Sequence, residues 1–175
     1  MQAPAARVRL ATVGDLARLA EVELRAAARF GEVGMVEVER LPPVAPELMA
    51  RQQALGLVWV AGHPPLAFAV ALDFPGALHL HEIDVVPEAA GRGLGRALID
   101  AVSVEAARRG LGEVTLVTFR DVPWNAPYYG RLGFRESPEA ARRLEIAALL
   151  EEERRSGLSA LGVRAVMARA VAPLP

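Results

Sequence analysis

The sequence predicts an α/β (α+β) chain: a mixed, mostly antiparallel central sheet flanked by helices, with one parallel strand pair. Three observations predict it. Residues 57–61 (LVWVA) and 66–73 (LAFAVALD) are apolar, strand-length runs joined by the turn Gly62-His63-Pro64-Pro65, so they should pair antiparallel. A strand at 78–86 is followed by a glycine-rich loop, a helix from about 93 to 109 and a strand at 114–119, a unit whose strands should be parallel and right-handed in their crossover. Helical apolar spacing recurs on either side of this core. The chain has 175 residues, enough for one domain (1–175) with a substantial core, and no linker-like stretch divides it.

The elements follow in order. Residues 6–11 read as a short strand. Thr12 is placed as the N-cap of a helix, with Asp15 three positions on in a variant of the capping-box spacing. Val13, Leu16, Ala20, Leu24 and Ala27 then recur at 3–4 residue intervals as the apolar stripe of that helix. The segment 31–46, rich in glycine and proline, is loop-like, and a short helix spans 46–54. Pro75-Gly76 makes the turn into the strand at 78–86. The helix from 93 carries Leu94, Leu98, Val102 and Ala106 and ends at Gly110 and Gly112. Residues 114–119 (VTLVTF) read as a strand buried on both faces. Asn125 caps a short helix that ends at Gly133. Ser137-Pro138-Glu139 opens another helix, running to about 155, with Glu139/Arg143 and Glu151/Arg155 at i, i+4 spacing. A strand at 163–171 closes the sheet.

Composition removes several chemistries. There is no cysteine, which excludes a disulfide, a thiolate zinc site and a cysteine nucleophile. All 20 basic residues are arginine, so Schiff-base catalysis and the lysine-dependent phosphate loop are excluded as well. A net charge of -1 gives no sign of a nucleic-acid or anionic-membrane partner. The start, MQAPAARVRL, has no signal-peptide pattern, and no run approaches the length of a spanning helix; a cytoplasmic protein is the expectation.

The loop after the strand at 78–86 reads Val85-Val86-Pro87-Glu88-Ala89-Ala90-Gly91-Arg92-Gly93-Leu94-Gly95-Arg96. Alternate glycines where a strand meets a helix N-terminus let backbone approach a ligand and leave the first helical amides pointing outward. With the helix dipole they form a cradle for a pyrophosphate, to which Arg92 and Arg96 add charged donors. A dinucleotide loop of the Rossmann type fits poorly, because its third glycine would fall at Arg96 and no acid ends the next strand about 20 residues on.

This loop resembles that of the GNAT superfamily of N-acyltransferases. The family's coenzyme A loop follows a strand ending in V-x-P and reads [R/Q]-x-x-G-x-[G/A]. Val85-Val86-Pro87 and Gly93-Leu94-Gly95 match, while Ala90 stands where Arg or Gln is usual. The resemblance implies acetyl-coenzyme A as cosubstrate. Val85 and Val86 would pair with its pantetheine arm, and amides from Gly91 through Arg92, Gly93, Leu94 and Gly95 to Arg96 would hold its pyrophosphate. A second motif stands in the right order: Tyr129-Gly130-Arg131-Leu132-Gly133-Phe134 matches the family's Tyr-x-x-Leu-Gly-Phe signature. Together the two span 78–136. The family role of Tyr129 is general acid, and a tyrosine suits it: with an ordinary pKa of about 10 the phenol is protonated at neutral pH and can donate to a leaving thiolate. Asn125 is expected both as N-cap and as a coenzyme A contact. Tyr128 is read as packing.

The strand at 78–86 also carries His79, His81, Glu82 and Asp84. Strict alternation places Glu82 and Asp84 on one face and the histidines on the other, neither face cleanly polar, a pattern that suggests a β-bulge. An amine acceptor with a pKa of about 10.4 is an ammonium at pH 7 and must lose a proton. Glu82 is the first choice for the base, with His81 and Asp84 next. No metal site is expected. With no cysteine to carry an acyl group, transfer should be direct, in a ternary complex, with the carbonyl oxygen polarised by a backbone amide near Val85. The alternative is a non-catalytic coenzyme A-binding regulatory module. The acceptor would be a small-molecule or peptide amine, shaped by the first helices and the loop around Phe30 to Met35. Dimers are common in the family, so a homodimer is compatible with the resemblance.

Overall fold

In the computed structural model, residues 7–172 are described. The sheet has seven strands in the order β1-β2-β3-β4-β5-β7-β6. These are β1 (Val8–Leu10), β2 (Val58–Ala61), β3 (Ala67–Phe74), β4 (Ala77–Val85), β5 (Glu113–Phe119), β6 (Arg135–Glu136) and β7 (Arg164–Ala170). The helices are α1 (Val13–Ala27), α2 (Val36–Glu39), α3 (Pro46–Ala54), α4 (Leu94–Arg108), α5 (Ala126–Arg131) and α6 (Leu144–Arg155). The pairs β1/β2, β2/β3, β5/β7 and β6/β7 are antiparallel, and β4/β5 is the parallel pair. The mixed sheet is thus the one expected. The first residue of the strand expected at 6–11, Ala6, lies outside the described residues, as does most of the opening segment.

The chain divides into two compact units. One comprises Met1–Leu72 with Leu80–Glu105, the other Asp73–His79 with Ala106–Pro175, so β4 contributes to both. In the first unit β2 is buried along its whole length and Phe68, Val70, Leu19 and Val22 fill the core. From α4 it receives Leu94, Leu98 and Val102, the stripe expected of that helix, together with Ile99. In the second unit Leu78, Val114, Leu116, Phe134, Ile146 and Met167 form the core.

Helix α1 departs from expectation. The capping box is present: Asp15 Oδ2 accepts the Thr12 N–H at 2.8 Å and the Thr12 hydroxyl at 2.8 Å. The buried face, however, is Asp15, Leu19, Val22 and Ala26, while Val13 and Leu24 are exposed. Arg9 of β1 explains the rotation. Its guanidinium donates to both Asp15 oxygens, at 2.7 and 2.8 Å, so Asp15 faces inward and sets the stripe that follows at i+4 and i+7.

The helix expected over 137–155 is also divided. A 3-10 turn, Ala140–Arg142, is capped by Ser137, whose hydroxyl accepts the Ala140 N–H at 3.1 Å. Arg143 is extended (φ -65°, ψ 139°) and α6 starts afterwards. Arg143 forms its ion pair with Glu113 at the start of β5 rather than with Glu139, whereas Glu151 and Arg155 do pair, at 3.4 Å.

Candidate active site

The end of β4 is where charge gathers. Its first four residues, including His79, are buried, and from His81 onward it is half-buried. His79 is spent on structure in the second unit: it stacks on Phe74 with ring centroids 5.1 Å apart, and its Nδ1 lies 3.0 Å from the Thr115 hydroxyl. Glu82 and Asp84 lie in the first unit and share a face, as simple alternation requires. With Glu23 of α1 they form a cluster whose ligand oxygens all lie within 4.8 Å of one another.

Each carboxylate is held differently. Glu23 accepts the Val44 N–H at 3.0 Å on both oxygens, which ties α1 to the segment before α3. Glu82 accepts the N–H of Ile83 at 3.2 Å. Asp84 Oδ2 is shut off from solvent and accepts no hydrogen bond. Burial, then the charge of Glu82, pushes Glu23 up to about 8, against the lowering effect of the Val44 N–H. Burial raises Asp84 well above the usual carboxylate range, with Glu82 and Glu23 adding to it. Burial and mutual repulsion thus both favour the protonated forms of Glu23 and Asp84.

Sequence reasoning named Glu82 and Asp84 but missed Glu23. Glu23 follows Asp15 and Leu19 at i, i+4, i+8 along the buried side of α1, not along the Leu16/Ala20/Leu24 stripe that periodicity offers. His81 is half-buried on β4.

Directly after β4 the chain forms the glycine loop. Val85 ends the strand. Val86 is extended and buried, and its N–H donates to the Leu66 carbonyl at 2.9 Å, so any pairing by Val86 falls to its carbonyl. A 3-10 turn, Pro87–Ala89, follows, and Arg25 of α1 reaches Glu88 within it. Gly91 and Gly93 adopt φ of +75° and +77°, a region that favours glycine. A Cβ at either position would meet nothing within 4 Å, so the loop is open on that side. The Ala97 N–H bonds to the Gly93 carbonyl at 3.0 Å, the first bond of α4. The amides of Leu94, Gly95 and Arg96 precede it and are not used by the helix. Leu94 is buried and anchors the helix start, whereas Arg92 and Arg96 are exposed. This backbone fits a pyrophosphate: open glycines, unspent amides and two exposed cations.

The second motif lies in the other unit. Asn125 stands at the N-cap position of α5, and its carbonyl accepts the Tyr129 N–H at 3.0 Å; its side chain makes no capping bond, contrary to expectation. The Tyr-x-x-Leu-Gly-Phe sequence acts as a turn. The Tyr129 carbonyl accepts the Leu132 N–H at 2.9 Å and the Phe134 N–H at 3.1 Å, with Gly133 at φ +92° reversing the chain. The Phe134 ring then meets Tyr129 edge-on at 5.9 Å. Arg169 of β7 clamps the turn, donating to the Leu132 carbonyl at 3.1 Å and lying over Phe134. Tyr129 is buried, while Tyr128 is half-buried beneath Arg131.

Residues 54–136 match the family model of the acetyltransferase (GNAT) domain, a stretch that contains β4, the glycine loop and the Tyr129 turn. The chain carries a GNAT acetyltransferase domain over these residues. It is an acetyl-coenzyme A-dependent N-acetyltransferase. Solved structures share the fold at low identity. The ribosomal-protein-S18-alanine N-acetyltransferase of Escherichia coli matches with a TM-score of 0.63 and 20% identity, over 97% of this chain and 96% of that one. The PaiA N-acetyltransferase of Thermoplasma acidophilum, in complex with coenzyme A, matches at 0.66 and 15%, over 94% and 98%. Rv2747 of Mycobacterium tuberculosis, in complex with coenzyme A and NLQ, matches at 0.67 and 16%, over 95% and 99%. Among the described residues, no helix is long and apolar enough to cross a membrane.

Proposed function

We propose that this GNAT protein moves the acetyl group from acetyl-coenzyme A directly to an amine in a ternary complex, as a single catalytic domain over 1–175. The observation that carries the reading is the continuity of the glycine loop with β4. The backbone that fits the pyrophosphate and the carboxylates that can take a proton lie on one run of chain, 82–96. Amides from Gly91 to Arg96, with the Arg92 and Arg96 side chains, hold the pyrophosphate. Val85 and the Val86 carbonyl align the pantetheine arm, and the uncommitted Asn125 side chain adds a polar contact to the cofactor.

The chemistry then runs in order. Glu82 accepts a proton from the acceptor ammonium, directly or through water, and frees the nitrogen lone pair. The nitrogen forms a bond to the thioester carbonyl carbon, and a backbone amide near Val85 stabilises the resulting oxyanion. Collapse breaks the carbon–sulfur bond. Tyr129 donates its proton to the departing thiolate and recovers one from solvent, while the amide nitrogen loses its second proton. One acetyl amide, one free thiol and one proton result.

The test is calorimetric titration of acetyl-coenzyme A, with NADH and ATP as controls, followed by free-thiol release with a panel of amines. Saturable binding of acetyl-coenzyme A alone is expected. Tyr129→Phe should lower kcat about 100-fold or more while changing cofactor affinity little. Cofactor binding without thiol release from any amine would instead favour a regulatory coenzyme A-binding module, and absence of binding by well-folded protein would sink the reading.

A further inference from the structure

The Glu23–Glu82–Asp84 cluster narrows the acceptor. Across the rest of the described molecule, carboxylates that come close together or go inside tend to gain an arginine: Asp15 has Arg9, Glu113 has Arg143 and Glu153 has Arg164. Among the described residues, no arginine or histidine pairs with Glu23 or Asp84. The single hydrogen-bond donor to Glu23 is a backbone amide, and Asp84 Oδ2 has none although it is closed to solvent. Asp84 brings an unpartnered oxygen, closed to solvent, to a group with two further carboxylates, and such a group calls for a donor of positive charge.

We infer that this cluster seats the acceptor's ammonium group, and that the acceptor is a primary alkylammonium with no anionic group beside its reacting nitrogen. The inference rests on the proposed acetyl transfer and names the substrate class of that same site. An ammonium offers three N–H donors, one for each carboxylate, and needs no water to complete its shell. A small divalent cation such as magnesium keeps several waters and binds few carboxylates, which suits a cluster of three poorly. A free α-amino acid would bring its own carboxylate within a few ångströms of the three already present, and like charges there oppose binding. Glu23 and Asp84 position and neutralise the ammonium, while Glu82, three residues before Val85, takes its proton.

The test is a matched pair of acceptors: butylamine and norvaline, which is the same amine carrying an α-carboxylate. Thiol release in the presence of acetyl-coenzyme A should give butylamine a kcat/KM about 10- to 100-fold above that of norvaline. Asp84→Asn and Glu23→Gln should each raise KM for butylamine about 10-fold with a smaller change in kcat. Glu23→Gln retains an acceptor for the Val44 N–H, and melting curves confirm that both variants fold. Equal or better use of norvaline would overturn the inference and leave acetyl transfer standing. So would an unchanged KM in both variants, or micromolar calcium binding that the two substitutions abolish. If acetyl-coenzyme A does not bind at all, the acetyl-transfer reading falls by itself. Butylamine titration followed by NMR then decides the inference alone: binding lost in Asp84→Asn upholds it, and no binding to the native chain contradicts it.

Discussion

Helix α1 carries two inward-facing carboxylates two turns apart, and they meet opposite fates. Asp15, in the first turn, receives two arginine donors and two from Thr12. The Arg9 hydrogen bonds, ahead of those from Thr12, hold its carboxyl well below the usual range. Glu23 receives a single backbone amide and faces two more acids. The same helix therefore uses one carboxylate to fix its own orientation and presents the other at a site where negative charge accumulates. Satisfied charge marks architecture here, and unsatisfied charge marks the place where a substrate completes the structure.

The contrast can be broken by substitution. The largest effect should come from Asp15→Ala, which removes the cap and leaves Arg9 without its partner. We expect a loss of about 2 kcal/mol, near 4–8 °C in Tm for a chain of this size, read by thermal melting. Asp84→Asn and Glu23→Gln should move Tm the other way, by about 2–4 °C upward, because each relieves repulsion that folding imposes. A fall in Tm in both would mean that the cluster is a structural network, not a receptor for positive charge.

The smallest effect is the pH dependence, and its sign differs between the two sites. Asp15 has a lowered folded pKa, so its contribution is present above about pH 4 and is lost as the pH falls below that. Glu23 has a folded value of about 8, raised from the ordinary range near 4.5. Protons stay on the folded state, so stability is highest at low pH and declines as pH rises between those two values. Partial exposure of Glu23 to solvent shrinks the change to a few degrees at most. The native protein should melt lower at pH 8 than at pH 5.5, and Glu23→Gln should flatten that slope. An unchanged slope would assign it to other groups.

Much of the fold was legible from residues. The strand and helix order follows from alternating and 3.6-residue spacing, and the α4 stripe of Leu94, Leu98, Val102 and Ala106 is buried as its period requires. Glycines at 91 and 93 mark the cradle because their positive φ suits little else. The buried face of α1 was not legible. Leu16, Ala20 and Leu24 compete with Leu19, Val22 and Ala26, and the choice is made by a tertiary ion pair from Arg9 that periodicity does not contain. Glu23 was missed for the same reason, since its place depends on that rotation. The break before α6 likewise turns on the Arg143–Glu113 pair, which joins residues 30 positions apart in a way no local signal records.

The most direct measurement takes Asp84→Asn and records melting temperature and butylamine acetylation on one preparation. A higher Tm together with a kcat/KM about 10-fold or more lower is expected, since the carboxylate that opposes folding is the one that receives the ammonium. A lower Tm with unchanged kcat/KM would refute that link, and would return Asp84 to the architecture of the strand.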